Sequence, residues 1–143
     1  MAFTSRVLSA TVLALSVVLL AQGVAQATIG AGSCVIGFEV CFANTGAIGT
    51  DSCNGNYACY SNAGTIGDRA CAGEGACFAN RAHVGKESCT GDGACEGNTG
   101  DVGKKSCNGA LACQNNTGSI GKGSCNGDGA CQDNTLDTGP GEC

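Results

Sequence analysis

Apolar positions follow two different patterns along the chain. Near the N-terminus they form one nearly continuous run, Val12-Leu-Ala-Leu-Ser-Val-Val-Leu-Leu-Ala21. Beyond residue 28 the runs vanish, and apolar side chains return singly at a fixed interval. Ile48, Ile66, Val84, Val102 and Ile120, continued by Thr138, stand 18 residues apart. Ala58, Ala76, Ala94, Ala112 and Ala130 keep the same interval, and so do Asn44, Asn62, Asn80, Asn98, Asn116 and Asn134. Between them lie columns that vary freely, such as Ala47, Thr65, His83, Asp101, Ser119 and Asp137, which are expected to face solvent.

Eighteen residues is short for a helical repeat, since paired helices need about 33 or more. Glycine recurs several times in each unit and opposes helix as well. The period therefore predicts an all-β fold, a short β-solenoid (β-helix) of about six 18-residue coils stacked at roughly 4.8 Å, a rod on the order of 30 Å long. The β-branched column is expected to form the apolar interior. The Asn column is expected to bond turn backbone and its own stacked neighbours, as an amide ladder does.

The N-terminal run has a different meaning. Arg6 precedes it, and Ala25-Gln26-Ala27 follows as an A-x-A cleavage site. Residues 1–27 read as a secretory signal peptide, leaving 28–143 as a single Cys-rich repeat domain. All 13 cysteines of the chain fall in that domain. Such density in an exported chain predicts disulfides and an extracellular location.

The cysteines form two series of period 18. One runs Cys53, Cys71, Cys89, Cys107, Cys125 and Cys143, with Cys34 one residue early; the other runs Cys41, Cys59, Cys77, Cys95, Cys113 and Cys131. Coil one thus carries a one-residue insertion between Cys34 and Cys41. Two pairings are open. One is local, as Cys53–Cys59, and strands Cys143. The other spans 12 residues, as Cys59–Cys71, and strands Cys34. The 12-residue step is kept in every instance, and the chain stops on Cys143, so the second pairing is favoured with Cys34 as the odd thiol. Metal binding fits poorly, because zinc sites want C-x(2–4)-C pairs and this chain has none.

Composition narrows the function. The net charge is −5 with seven Lys+Arg, which excludes the basic footprint of a nucleic-acid binder. His83 is the sole histidine and sits in a variable column, so no catalytic set can be built on it. No cofactor, metal or catalytic residue is expected. The surface offers three candidates. Phe42, Tyr60 and Phe78 align as an aromatic strip; Lys86, Lys104 and Lys122 align as a basic line; Thr45, Thr99, Thr117 and Thr135 share a column with Ala63 and Arg81. Asn115 begins the one glycosylation sequon, Asn115-Asn116-Thr117.

The short Cys-rich coil with its Thr column resembles the insect hyperactive antifreeze proteins, which are small disulfide-stapled β-solenoids. The unit Ile120-Gly121-Lys122-Gly123-Ser124-Cys125 also resembles the hexapeptide of left-handed β-helices. The first resemblance implies ice binding through the Thr column. The repeat pattern itself points to a secreted, non-enzymatic structural or surface protein: a rigid rod for matrix, envelope or adhesion, partnered by an extracellular surface, by other copies of itself or by ice. A protease-resistant effector scaffold is the remaining reading. The mature form is not expected to span a membrane.

Overall fold

The computed structural model describes residues 27–142. Residues 1–26, on which the expected signal peptide falls, and Cys143 lie outside the described residues. The chain winds into coils stacked in strict register. Single parallel bridges join Ile29 to Ile48, Ile48 to Ile66, Ile66 to Val84, Val84 to Val102, Val102 to Ile120 and Ile120 to Thr138. The first step is 19 residues and the rest are 18, so the insertion falls in coil one, where the sequence places it.

The all-β expectation is corrected. Among the described residues there is no helix and no sheet, and no strand extends beyond one bridging residue per coil. The reason lies in the backbone. Each coil passes through the left-handed region about four times; in the second these points are Asp51, Cys53, Tyr57 and Ser61, with φ of 53°, 56°, 56° and 54°. A strand needs consecutive residues near φ of about −120° to −140°, so extended runs are cut off before a ladder can form. Tight turns take their place. In that coil Ala58 N donates to Gly55 O, Tyr60 N to Tyr57 O and Asn62 N to Cys59 O. Coils are joined by backbone hydrogen bonds in both directions: Cys59 N donates back to Val40 O, and Cys53 N donates forward to Ala70 O.

The interior follows the sequence columns closely. Ile48, Ile66, Val84, Val102 and Ile120 are buried, and beside them lie Ala58, Ala76, Ala94 and Ala112 with the cystines. Asn62, Asn80, Asn98 and Asn116 are fully buried. Each donates Nδ2 to the Oδ1 of the Asn one coil earlier, at 2.8–2.9 Å. Each also donates to a carbonyl two residues on, as Asn62 does to Gly64 O at 2.7 Å. The amide ladder is thus present, and it satisfies groups that a core this thin would otherwise leave unpaired.

The cysteine pairing also differs from expectation. The disulfides are Cys34–Cys41, Cys53–Cys59, Cys71–Cys77, Cys89–Cys95, Cys107–Cys113 and Cys125–Cys131. Cys34 is therefore bonded and is not the odd thiol. The first cysteine of each pair adopts positive φ, as Cys53 and Cys71 do at 56°. That conformation turns the chain back on itself, so two cysteines six residues apart lie 5.6 Å apart at Cα, within ordinary disulfide range. Each bridge closes its own coil instead of linking one coil to the next. The inserted residue is absorbed in the loop between Cys34 and Cys41, whose Cα atoms are 5.8 Å apart.

Candidate functional site

Because every coil repeats the same path, each surface column is a line of side chains along the rod. The aromatic strip is built this way. Phe42 stacks on Tyr60 with ring centroids 5.4 Å apart, and Tyr60 stacks on Phe78 at 5.2 Å and 6° between planes. Tyr57 meets Tyr60 edge-on at 6.0 Å, and Phe38 meets Tyr57 edge-on at 5.6 Å. Sequence reading found the stack but not the Phe38–Tyr57 arm, in which Phe38 stands in the 18-residue column of Asn56. Exposed apolar side chains gather in that coil too: Val35, Ile36, Phe38 and Phe42 are all more than half exposed.

The aromatic column changes character at Glu96. Gln132 Nε2 donates to Gln114 Oε1 at 2.8 Å, and Gln114 Nε2 donates to Glu96 Oε2 at 2.9 Å. A stack of rings therefore ends at Phe78, and a chain of hydrogen-bonded side chains begins at Glu96. An open groove of about 600 Å³ lies alongside this junction. Tyr57, Phe78 and Leu111 give it apolar walls, and Glu74, Asp92 and Glu96 line its rim. Its cause is local. The column Tyr57, Gly75, Gly93, Leu111 holds glycine in its two middle coils, so two large side chains stand apart over a bare floor. Both glycines sit at φ of 60°.

The other sequence candidates lie on separate lines. Thr45, Thr99, Thr117 and Thr135 are exposed, as are Ala63 and Arg81 in the same column. Buried glycines at 46, 64, 100 and 118 follow them in the chain. The recurring Thr-Gly step of the repeat marks that glycine column in the sequence, although Ala82 and Leu136 interrupt it. It is a column of close approach: a methyl group on Gly64 would sit 1.9 Å from Ala82 O. His83 is exposed, and its backbone N–H donates to Asp101 Oδ1 at 3.0 Å. Asn115 is exposed and donates Nδ2 to Asp133 Oδ1 at 3.2 Å.

The basic line is partly neutralised within the chain. Lys86 Nζ lies 3.9 Å from Asp68 Oδ2, Lys105 Nζ lies 3.6 Å from Glu87 Oε2, and Arg69 pairs with Glu87. The hydrogen bond from Arg69 holds the Glu87 carboxyl below its ordinary pKa, helped by the charges of Arg69 and Lys105. Asp68 is lowered chiefly by hydrogen bonds from Thr50, with Lys86 and Arg69 adding to the effect. The cysteines at 34 to 131 are all committed to disulfides, so none serves as a thiolate ligand or nucleophile.

The family model of a domain of unknown function, DUF7640, matches residues 21–130. The chain belongs to that family. The matched span takes in the aromatic stack, the groove and the disulfides from Cys34 to Cys113. No curated protein and no solved structure matches the chain. It is a small disulfide-rich repeat protein of the kind suited to an oxidising, extracellular compartment. Among the described residues no helix is long and apolar enough to cross a membrane.

Proposed function

We propose that the protein is a secreted, non-enzymatic rod that serves as a structural or adhesive element outside the cell. One observation carries this reading: every coil is closed by its own disulfide over the same Ile/Val, Ala and Asn interior. A chain whose stability comes from repeated staples tolerates loss of water, proteases and dilution better than one that depends on a single core. The A-x-A site before Thr28 supports export.

Two measurements test it. Expression of the full chain in its host, with fractionation and N-terminal sequencing, should recover an oxidised protein beginning near Thr28 outside the cell. Recovery of a reduced chain from the cell interior would overturn export. The purified protein should also be retained on extracellular material or associate with itself as its concentration rises. A sharp monomer in the ultracentrifuge that also washes freely from such material would end the structural reading.

A further inference from the structure

The groove between Tyr57 and Leu111 has a chemistry that the rod's repetition does not explain. Tyr57 and Leu111 are three coils apart, roughly 14 Å at the usual inter-strand spacing. The glycines between them leave the space open: nothing lies within 4 Å of a methyl group placed on Gly75. A methyl group on Gly93 would instead meet the Leu111 side chain at 2.8 Å, so Leu111 leans over the floor. Phe78 ends the ring stack, and the face it turns away from Tyr60 is met by no further ring; Glu96 follows it in the column. That carboxylate is held by Gln114, and its Oε2 lies 3.5 Å from the Cβ position at Gly93. Asp92 is held as well, its Oδ1 accepting the Glu74 N–H at 2.9 Å. Among the described residues no Lys or Arg pairs with Glu74, Asp92 or Glu96, although cations pair with Asp68 and Glu87 on another face.

We infer that this notch binds the arginine side chain of a basic peptide segment on a partner protein. Complementarity of charge and shape selects that occupant. An arginine has an apolar stem, which suits the glycine floor between Tyr57 and Leu111. Its planar head packs against aromatic rings, which Phe78 and Tyr57 supply in the groove wall, and it forks onto a carboxylate, which Glu96 supplies. A lysine lacks the planar fork and binds more weakly here. Successive arginines on an extended peptide find further carboxylates along the rod at Asp92 and Glu74.

The test uses tetra-arginine amide as the probe, titrated at low salt into the oxidised protein and followed by backbone amide NMR. Resonances of Gly75, Gly93 and Leu111 should shift together, and added salt should weaken the effect. The double variant Asp92→Asn/Glu96→Gln keeps the hydrogen-bond acceptors and removes two charges, and should weaken binding by about tenfold. Gly75→Asn keeps every carboxylate, adopts positive φ readily and fills the floor; it should weaken binding to a similar degree. Asp101→Asn, on a different line of the rod, should leave the affinity unchanged. The inference fails if the notch resonances do not move. It also fails if Gly75→Asn binds like the parent, or if Asp101→Asn is as damaging as the double variant, because the attraction would then be one of overall charge. Notch shifts that appear on raising protein concentration alone would place a second copy there and overturn it too.

Discussion

Glu142 Oε2 accepts the backbone N–H of Gly139 at 2.6 Å. In the coil before, the equivalent N–H, that of Gly121, donates to Thr138 O of the following coil. Glu142 stands in the column of Ser88, Ser106 and Ser124, so a glutamate where the repeat has serine supplies this acceptor. Pro140, with no N–H of its own, lies beside it. The bonded N–H and the proline leave fewer open donors along this backbone edge.

Returning position 142 to the repeat's serine should undo this. Glu142→Ser removes this acceptor from the Gly139 N–H and should raise association of copies through that edge. Sedimentation at increasing concentration reads the result, and a variant as monomeric as the parent would show that the cap is idle.

The amide ladder makes a sharper stability prediction. Asn98 donates to Asn80 Oδ1 and Gly100 O, and accepts from Asn116, all while fully buried. Asn98→Ala removes the donor to two acceptors, Asn80 Oδ1 and Gly100 O, and the acceptor of Asn116 Nδ2. The cost should be about 2–4 kcal/mol in guanidinium unfolding, each group left unpaired contributing on the order of 1–3 kcal/mol before partial relaxation.

Local disulfides can be read by protease without reduction. The chain has Arg69 between Cys59 and Cys71, Arg81 and Lys86 between Cys77 and Cys89, Lys104 and Lys105 between Cys95 and Cys107, and Lys122 between Cys113 and Cys125. With the observed pairing, trypsin releases peptides that carry their bridges internally. The alternative 12-residue pairing would leave every neighbouring peptide cross-linked. Replacing both Cys71 and Cys77 by Ala should cost roughly 2 kcal/mol, the loop being short.

Backbone geometry separates two kinds of small residue. Gly64→Ala places a methyl group 1.9 Å from Ala82 O and 2.6 Å from Asn80 Nδ2, and should cost more than about 4 kcal/mol or prevent folding. Ser61, exposed at φ 54°, sits in a column where another coil has Gly97 at φ 65°. Ser61→Gly relieves left-handed strain and should be neutral to stabilising by up to about 1 kcal/mol. Thermal melts of the two variants should move in different directions or differ widely in size.

Acid sensitivity should trace partly to the charged line. The Glu87 and Asp68 carboxyls are lowered in the folded state, so their stabilisation is present above their unfolded pKa values of about 4 and is lost as pH falls through the lower folded values. Both groups are half-exposed to solvent, and the effect is small and salt-screened. Glu87→Gln should reduce the drop in melting temperature between neutral and strongly acidic pH at low salt. An identical drop in the variant would remove the Arg69–Glu87 pair from the account.

Residues repeat where environments repeat. The 18-residue register, the Ile/Val interior, the buried Asn ladder and the aromatic stack were therefore legible in the sequence, because each is one position seen several times over. The sequence did not carry direction. Whether Cys59 meets Cys53 or Cys71 depends on where each Cβ points, and the left-handed backbone at Cys53 and Cys71 decides that. The same turns cut the expected strands to single bridges, a property of φ angles that Asp51, Tyr57 and Ser61 do not announce by residue type. The groove beside Phe78 came from the fold as well: Gly75 and Gly93 look like ordinary turn glycines until stacking sets Tyr57 and Leu111 on either side of them. Periodicity thus determined which residues share a line along the rod and which lines face inward, and only tertiary structure decided what each line touches, because those contacts follow from backbone angles that residue type does not announce.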